Sequence, residues 1–267
     1  MKSLLIAILV TASLIATSSA GTIDPKNNDA EYLEYGSRHE CVLPIECIIY
    51  LNEQNADGSK TKYIKYLASC VAISPQWIVT AAHVVKDSDA RFILYQNKKI
   101  EVDICAYHAD FDDKKFGESD IALCHLSEDL TLDFYPSLYE EDNEIGKVSS
   151  QAGYGATGTF STGAVKNDQQ KRAGSNMIQG ISDDLLMCSV HEGKNTALEF
   201  MIANGDSGGG LFIDKKLAGI HSCVLAADGK PNSDHGDESG HTRISVFKKW
   251  IEDTIDQLTS ANDKKKR

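Results

Sequence analysis

The chain has 267 residues, of which 42% are hydrophobic and 25% charged, and its formal net charge is −12 at pH 7. This length and hydrophobic fraction suffice for one or two folded domains with a sizeable core. The excess of acidic residues disfavours a nucleic acid as a partner, because the phosphate backbone carries charge of the same sign.

The first 20 residues have the pattern of a signal peptide. Lys2 precedes the apolar stretch Leu4–Leu14, and Ser18-Ser19-Ala20 supplies small residues at the cleavage point. This stretch is short and poorly flanked for a transmembrane helix, although an uncleaved membrane anchor is the alternative. We therefore expect cleavage after Ala20, no stable membrane insertion and a secreted protein, or a periplasmic one if the source is bacterial. Residues 21–31 follow as an N-terminal segment or propeptide.

Short apolar runs separated by turn residues dominate the rest of the chain, as is typical of an all-β protein. The strands predicted in the first half are Ile45–Leu51, Tyr66–Ile73, Trp77–Thr80, Arg91–Tyr95, Ile100–Tyr107 and Ile121–Leu126. Those predicted in the second half are Val148–Gly153, Ala164–Lys166, Met177–Ile181, Leu185–Val190, Leu211–Ile213, Leu217–His221 and Thr242–Val246. The rest of Thr157–Ser175 is rich in Gly, Thr and other polar residues, so we expect loops there.

The chain ends in an amphipathic helix. Its apolar residues recur at three- and four-residue spacing and so share one face. They are Phe247, Trp250, Ile251, Thr254, Ile255 and Leu258. Charged residues occupy the opposite face, and the terminal run Lys264–Arg267 is interpreted as a solvated basic tail rather than a binding patch.

Three segments carry a histidine, an aspartate and a serine in that chain order. His83 follows an apolar strand, Asp120 opens a second apolar run, and Ser207 lies between glycines in Gly205-Asp206-Ser207-Gly208-Gly209. A serine hydroxyl is a weak nucleophile that needs an adjacent base, and a histidine oriented by a carboxylate supplies one. Alone, each residue is more often structural: a core histidine, a capping aspartate, a turn serine. Together, in this order, they predict a catalytic triad.

The segments Trp77–His83 and Asn204–Phe212 resemble the chymotrypsin/trypsin-like serine protease family, and the resemblance extends from about Tyr32 to Leu258. It implies two six-stranded antiparallel β-barrels with the active site between them, plus a C-terminal α-helix. Residues 32–145 would form the first barrel, 146–242 the second, and 243–267 the helix and the basic tail. Gly153-Tyr154-Gly155 resembles a Gly-aromatic-Gly segment found early in the second barrel of the family.

The resemblance implies a serine endopeptidase that works through an acyl-enzyme intermediate, with no metal and no cofactor. His83 would be the general base, Asp120 would orient it, and the N–H groups of Gly205 and Ser207 would form the oxyanion hole. Ser222 would hydrogen-bond Asp120 and line the cleft. We expect a monomer that acts on protein or peptide substrates, with a protein inhibitor or an activating protease as further partners.

By the same resemblance, primary specificity depends on the residue six positions before the nucleophile, here Met201. A carboxylate there would pair with Arg or Lys of a substrate, whereas a buried cation without a partner is costly. Val224 would narrow the pocket, and Gly240 would form its other wall. We therefore expect cleavage after small or medium apolar residues. A basic preference is the alternative, if one of the carboxylates Asp228, Asp234, Asp237 or Glu238 points into the pocket.

The cysteine pattern departs from the family. Val84 and Ala203 stand where relatives carry cysteines that form disulfides, so the active site is less covalently braced. The count of seven cysteines is odd, so at least one thiol is free or pairs with another chain. Cys105 and Cys124 lie in segments that are neighbouring strands in the family, and this is the bridge that the resemblance implies.

The activation signal of the family is absent as well. Relatives are cut after a basic residue, and the new N-terminal ammonium pairs with the aspartate before the nucleophile, here Asp206. No Lys or Arg directly precedes the corresponding region Glu31–Gly36. Since an unpaired buried carboxylate is costly, a partner is expected. It could come from atypical processing, from another cation, or from the N-terminus that signal peptidase leaves.

Two other functions compete with the endopeptidase. The missing activation signal favours a non-catalytic serine protease homologue that acts as a binding or regulatory module, whereas the complete set of triad residues argues against this homologue. An esterase-like hydrolase would carry its triad in the order Ser, Asp, His, which is the reverse of the order here.

Overall fold

The structure, a computed structural model, describes residues 21–54, 61–115, 117–190 and 196–265. The predicted signal peptide and the last two residues of the basic tail lie outside the described residues. The described chain is all-β with a C-terminal helix, which confirms the predicted fold class.

Seventeen strands and three helices make up the described part. The strands are β1 (Thr22–Ile23), β2 (Val42–Gln54), β3 (Thr61–Ala72), β4 (Trp77–Thr80), β5 (Ala90–Tyr95), β6 (Lys98–Tyr107), β7 (Ala122–Leu126), β8 (Val148–Gly153), β9 (Thr157–Thr159), β10 (Gly163–Lys166), β11 (Arg172–Met177), β12 (Gly180–Ser182), β13 (Leu185–Ser189), β14 (Phe200–Met201), β15 (Gly210–Ile213), β16 (Lys216–Ala226) and β17 (Asp237–Arg243). The helices are α1 (Asp29–Ser37), α2 (Ala82–Val85) and α3 (Ile244–Lys265).

The first half is a closed barrel of six strands in the order β2-β3-β4-β7-β6-β5. Fully buried aliphatic side chains fill its interior, among them Ile45, Ile78 and Ile93. β6 and β7 pair Cys105 with Cys124, and these two residues form the disulfide that the resemblance implied. The other cysteines are buried free thiols: Cys41, Cys47, Cys70, Cys188 and Cys223.

The second half is a seven-stranded sheet in the order β11-β8-β15-β16-β17-β13-β12. β11 and β12 form its opposite edges, yet only Ile178 and Gln179 separate them in the chain. A sheet whose two edges are consecutive in the chain curls round on itself. The closed barrel among the described residues is that of the first half, and a second six-stranded barrel stays an expectation from the resemblance.

A smaller sheet, in the order β10-β9-β1-β14, joins the N-terminal segment to the second half. Thr22 of β1 pairs with Met201 on one side and with Gly158 on the other. The predicted loops in this region are therefore wrong at β9 and at β11. Both strands are built largely of small and polar residues, so they show no alternation of apolar and polar positions that would reveal a strand.

Helix α1, which the sequence analysis did not predict, fixes the N-terminal segment on the second half. A capping box between Asn28 and Glu31 starts it. The fully buried guanidinium of Arg172 on β11 bonds Asp29 through both Nε and Nη2, at 2.6 and 2.7 Å. Tyr32 is buried in a cluster with Ile23, Phe200 and Ile202. Residues of the N-terminal segment thus pack with the second half of the chain.

Helix α3 packs on the core of the first half through the face that the spacing predicted. Phe247 and Ile251 are buried, and Trp250, Ile255 and Leu258 pack against the same cluster. No helix in the described ranges combines the length and the apolar character needed to span a membrane.

Candidate active site

Strands β4 and β7 bring His83 and Asp120 to the same end of the first barrel. The two strands are antiparallel, and Thr80 pairs with Ala122 at their ends. Continuing forward from Thr80 leads to His83, and continuing backward from Ala122 leads to Asp120. All four residues of β4 are buried, which fixes the strand that leads to His83 at the start of α2.

Asp120 binds His83 twice. Its Oδ2 is 2.7 Å from His83 Nδ1, and its Oδ1 accepts the backbone N–H of His83 at 2.9 Å. Ser222 donates its hydroxyl to Oδ2 at 2.6 Å, as the resemblance implied. The Asp120 side chain is 3% exposed, whereas that of His83 is 41% exposed, so the carboxylate is held from several sides and the imidazole remains accessible.

These contacts shift the titration of both groups. Desolvation of the imidazole lowers the pKa of His83, but the hydrogen bond and the charge of Asp120 outweigh it, so the pKa is raised overall. Burial raises the pKa of Asp120, but the hydrogen bonds from His83 and Ser222 outweigh it, so the pKa is lowered. The pair is therefore a charged carboxylate beside a histidine that can accept a proton.

The Ser207 loop packs directly against the end of β4. Gly208 has φ +81°, and a Cβ there would lie 2.0 Å from Thr80 Oγ1, so only glycine fits. The carbonyl of Ser207 accepts the N–H of Ser69 at 2.9 Å. This packing brings the serine to the end of the barrel where His83 lies. Among the hydrogen bonds of the described residues, none joins the Ser207 hydroxyl to the His83 ring.

The peptide planes before Ser207 leave two N–H groups unengaged. The carbonyl of Asn204 accepts the N–H of Ala156 at 2.6 Å. In a trans peptide the C=O and the following N–H point in opposite directions, so the N–H of Gly205 points away from Ala156. Within the described ranges, no acceptor lies in hydrogen-bond geometry to the N–H of Gly205 or of Ser207. Two such donors can stabilise an oxygen that gains negative charge.

Asp206 lies fully buried behind this loop. Its carboxylate accepts the N–H groups of Gly21, Ala203 and Gly155 at 2.8, 2.8 and 2.7 Å. Burial raises the pKa of Asp206 to about 7, and the three N–H groups offset part of that rise. A Cβ at Gly153 or Gly155 would come within 2.3 or 2.4 Å of the carboxyl group, which explains the two glycines of this segment. Gly21 directly follows the expected cleavage point, so it is the N-terminus that signal peptidase would leave, one of the three partners considered for Asp206 in the sequence analysis.

The specificity residues predicted from the sequence lie in two apolar clusters. Met201 is buried with Phe160 and Val190, and Val224 packs against the cluster that contains Ile202. In the pairing of β16 with β17, Val224 lies opposite Ser239, a residue that the sequence analysis did not consider.

Gly240 and the nearby carboxylates are placed differently from the other pocket candidates. Gly240 lies opposite Cys223, and its Cβ position is 2.7 Å from the Cys223 sulfur. Asp228 and Glu238 are exposed, and the buried Asp237 accepts the N–H of Ser233 at 2.8 Å.

Comparison with known proteins gives the family. The family model described as Trypsin matches residues 52–251. Kallikrein 1-related peptidase b24 of Mus musculus is 26% identical over 227 residues, which cover 73% of this chain and 82% of the relative. Trypsin of Simulium vittatum is 27% identical over 175 residues, which cover 56% and 67%.

The structure of neuropsin, a serine protease expressed in the limbic system of mouse brain, shares the fold. It superposes with a TM-score of 0.58 at 19% identity and covers 79% of this chain and 93% of neuropsin. The chain belongs to the trypsin family of serine proteases, and at the level of the family it is a serine peptidase that acts on proteins.

Proposed function

We propose that this chain is a secreted serine endopeptidase that hydrolyses peptide bonds through His83, Asp120 and Ser207. The observation that carries the proposal is the double attachment of His83 to the buried Asp120, beside a serine loop with two unengaged N–H donors. A structural histidine does not need its ring and its backbone held by one carboxylate, whereas a general base does, because its tautomer and direction are fixed in this way.

In the proposed reaction, Ser207 Oγ attacks the carbonyl carbon of the scissile bond while His83 takes the hydroxyl proton. The carbonyl oxygen becomes an oxyanion, which the N–H groups of Gly205 and Ser207 stabilise. His83 then gives the proton to the leaving amine, and an acyl-enzyme on Ser207 remains. Water, deprotonated by His83, attacks the acyl group, and the proton returns to Ser207. Asp120 stays charged throughout and stabilises the imidazolium.

The amino group of Gly21 is the proposed counter-charge of Asp206. As a peptide N–H it already lies 2.8 Å from the carboxylate. Cleavage after Ala20 would convert it into an ammonium at the same place, without any second cut. Gly21 is buried with φ +44°, and a Cβ there would lie 2.1 Å from the ring of Phe200, so the space suits a glycine terminus. Of the three partners considered for Asp206, this one has structural support.

The proposed primary specificity is for small or medium apolar residues. Met201 and Ile202 are buried among apolar side chains and offer no charge to a substrate cation. The alternative of a basic preference has little support, because Asp228 and Glu238 are exposed and the other two carboxylates are engaged: Asp234 accepts the Asn232 side-chain N–H and Asp237 accepts the Ser233 backbone N–H. The enzyme is further proposed to act as an extracellular or periplasmic monomer.

A fluorophosphonate tests the proposal, because it modifies a serine only when an activated nucleophile and an oxyanion site are both present. Intact mass and peptide mapping of the secreted protein should show one adduct, on Ser207, and a mature N-terminus at Gly21. The adduct should be lost in Ser207→Ala and in His83→Ala. His125→Ala is the matched control, because His125 Nδ1 also lies 2.8 Å from a carboxylate, that of Asp103, and this variant should still be labelled.

A folded sample that begins at Gly21 and forms no adduct would contradict the endopeptidase proposal and favour the non-catalytic homologue. Cleavage of a peptide library after Arg or Lys, in place of apolar residues, would contradict the proposed specificity alone.

A further inference from the structure

We propose that Ser69, a residue of the first barrel, is a positioning residue that holds the two oxyanion N–H groups in place. The inference rests on the proposed function and adds a residue to its machinery. Ser69 lies on β3 and is fully buried. Its backbone and its hydroxyl both bond to the second half of the chain, and the hydroxyl contacts two separate segments there.

The Ser69 hydroxyl uses both of its hydrogen-bonding functions on backbone groups near the site. It donates to the carbonyl of Gly205 at 3.1 Å and accepts the N–H of Tyr154 at 2.9 Å. A serine hydroxyl has one proton to donate, so this proton is committed to Gly205. The Ser69 backbone N–H donates to the carbonyl of Ser207 at 2.9 Å. Ser69 therefore contacts the residues on both sides of Asp206.

These bonds restrict the rotations that would misplace the oxyanion donors. Gly205 has φ +95° and no Cβ, so its own conformational preferences constrain it weakly. The bond from Ala156 to the carbonyl of Asn204 fixes the plane that contains the Gly205 N–H. The bond from Ser69 to the Gly205 carbonyl fixes the next plane, and the N–H of Gly209 donates to the Asp206 carbonyl at 2.8 Å, which fixes the plane that contains the Ser207 N–H. The Ser69 bond therefore holds the plane that connects the two donor planes, so the N–H groups of Gly205 and Ser207 keep their relative direction.

The loop has no covalent brace that could replace this one. Ala203 stands where the resemblance implied a cysteine, and the disulfide found in the described ranges joins Cys105 to Cys124 in the first barrel. Ser69 is also bonded to β4, the strand that leads to His83, because the Ser69 carbonyl accepts the Thr80 hydroxyl at 2.8 Å. One serine thus links the strand that leads to His83 with the loop that carries Ser207.

The substitution Ser69→Ala should lower kcat by about 10- to 100-fold and leave KM within about threefold. The donors act on the oxyanion that forms in the transition state, and a small displacement of such groups costs rate rather than substrate binding. The affinity for a peptide boronic acid, whose tetrahedral adduct on the nucleophile places an oxygen in the oxyanion position, should fall by the same factor as kcat/KM. Ser69→Thr keeps the hydroxyl and should restore most of the rate.

The matched control is Ser149→Ala. Ser149 is also a buried strand serine whose hydroxyl donates to a backbone carbonyl, that of Asn176, at 3.0 Å. It should lose stability as Ser69→Ala does and keep kcat within about twofold of the unmodified protein. If Ser69→Ala does not fold, Ser69→Gly removes the same hydroxyl, and the kinetic comparison is made on that variant.

The experiment measures kcat, KM, the boronic acid inhibition constant and the melting temperature on protein that begins at Gly21. A normal kcat in the variant that lacks the hydroxyl would overturn the inference, as would a loss confined to KM or an equal loss of kcat in Ser149→Ala. Each of these results leaves the proposed function standing, provided that the unmodified protein reacts with the fluorophosphonate. Absence of that reaction in the unmodified protein would instead contradict the proposed function.

Discussion

His83 and His125 each approach a carboxylate through Nδ1, at 2.7 and 2.8 Å, and their surroundings differ. Asp120 is buried and receives a further hydrogen bond from Ser222. The Asp103 side chain beside His125 is 40% exposed, and the His125 ring packs edge-on against Trp77. A screened surface pair contributes little to holding a charge or a tautomer, whereas a buried pair can do both. Burial of the carboxylate therefore distinguishes the catalytic candidate from the ordinary pair.

Replacing this buried carboxylate should reveal its control over His83. In Asp120→Asn the hydrogen bond and the charge that raise the pKa of His83 are lost, while desolvation continues to lower it. The acid limb of the fluorophosphonate labelling rate, where His83 becomes protonated, should move to lower pH than in the unmodified protein. The plateau rate should fall on the order of 10⁴-fold, because the amide stabilises the wrong tautomer. The measurement is the labelling rate from pH 4 to pH 9.

Asp113→Asn, in the same experiment, separates the effect of a nearby carboxylate charge on His83 from the effect of the hydrogen bond that orients the His83 ring. The charge of Asp113 also contributes to the raised pKa of His83, but its carboxylate bonds Lys86 at 2.5 Å and not the imidazole. In Asp113→Asn the acid limb of the labelling rate should shift slightly to lower pH, and the plateau rate should stay unchanged. An unshifted limb in Asp120→Asn would contradict the role given to Asp120.

The sequence predicts the triad residues because each sits in a local signature of several neighbouring residues, and the chain order adds a further constraint. Ser69 has no such signature. It is the one polar residue in the apolar end of β3, residues 67–72, and its role arises from contacts with Gly205 and Tyr154, more than 80 positions away. Gly21 is recognisable only as the residue after a cleavage point. Contacts between distant segments depend on packing, which the local pattern does not encode.

At the scale of the elements, the apolar pattern predicted the members that have an apolar run or an apolar face and missed those that have neither. α3 has 22 residues and an apolar face, so its packing follows from its spacing. β1, β9 and β14 have two or three residues each, too few to show a period, and they form by pairing with one another. α1 is marked by its capping box rather than by a strong apolar face. These missed elements are the ones that bring Gly21 to Asp206.

Because β1 fixes this position, the exact N-terminus should control both stability and activity. In a chain extended by Ala20, Gly21 is an amide, and burial leaves the pKa of Asp206 raised to about 7. The unfolded carboxyl titrates near its ordinary value, so the extended form loses stability relative to the processed form as pH rises from about 4 to 7. Between pH 5 and pH 8 the difference in the free energy of unfolding between the two forms should widen by roughly 2–3 kcal/mol. Urea unfolding of the two forms at both pH values measures it.

A double-mutant cycle isolates the pair in that measurement. With Asp206→Asn, the extension by Ala20 should no longer change the stability in a pH-dependent way, because the group that titrates is gone. The extended form with Asp206 intact should also react more slowly with the fluorophosphonate at pH 8. Equal stability and equal labelling of the two forms at pH 8 would contradict the proposal that Gly21 supplies the counter-charge.

At the scale of the whole molecule, buried neutral histidines limit stability in acid. His221 Nδ1 lies 2.9 Å from His241 Nδ1, and His241 Nε2 lies 3.0 Å from the Ser239 hydroxyl. Burial lowers the pKa of His241 to about 3, and burial together with the charge of His241 lowers the pKa of His221 well below its ordinary value. The facing nitrogens share one proton, so a proton added to the ring that accepts it would place two N–H groups against each other. Desolvation also lowers the pKa of His39 to about 4.

These shifts give the direction of the pH dependence. At His39, His221 and His241 the unfolded chain binds protons below about pH 6.5, while burial opposes this uptake in the folded protein, so these residues lower the stability as pH decreases from 6.5 toward 3. Each buried histidine contributes a slope of up to about 1.4 kcal/mol per pH unit in this window. In the unprocessed chain Asp206 lowers the stability as pH rises, which is the opposite pH dependence. The measurement therefore requires protein that begins at Gly21.

The variant His221→Gln/His241→Gln should flatten this slope by up to about 2.7 kcal/mol per pH unit between pH 6 and pH 4, because glutamine takes up no proton there. It should be less stable than the unmodified protein at pH 7, where the packing of the two rings is lost, and the difference should shrink toward pH 4. His235→Gln, at an exposed position, is the control and should leave the slope unchanged. Urea unfolding at half-unit intervals from pH 4 to pH 7 measures all three proteins. A double variant with the slope of the unmodified protein would show that other groups, such as the paired carboxylates, account for the acid sensitivity.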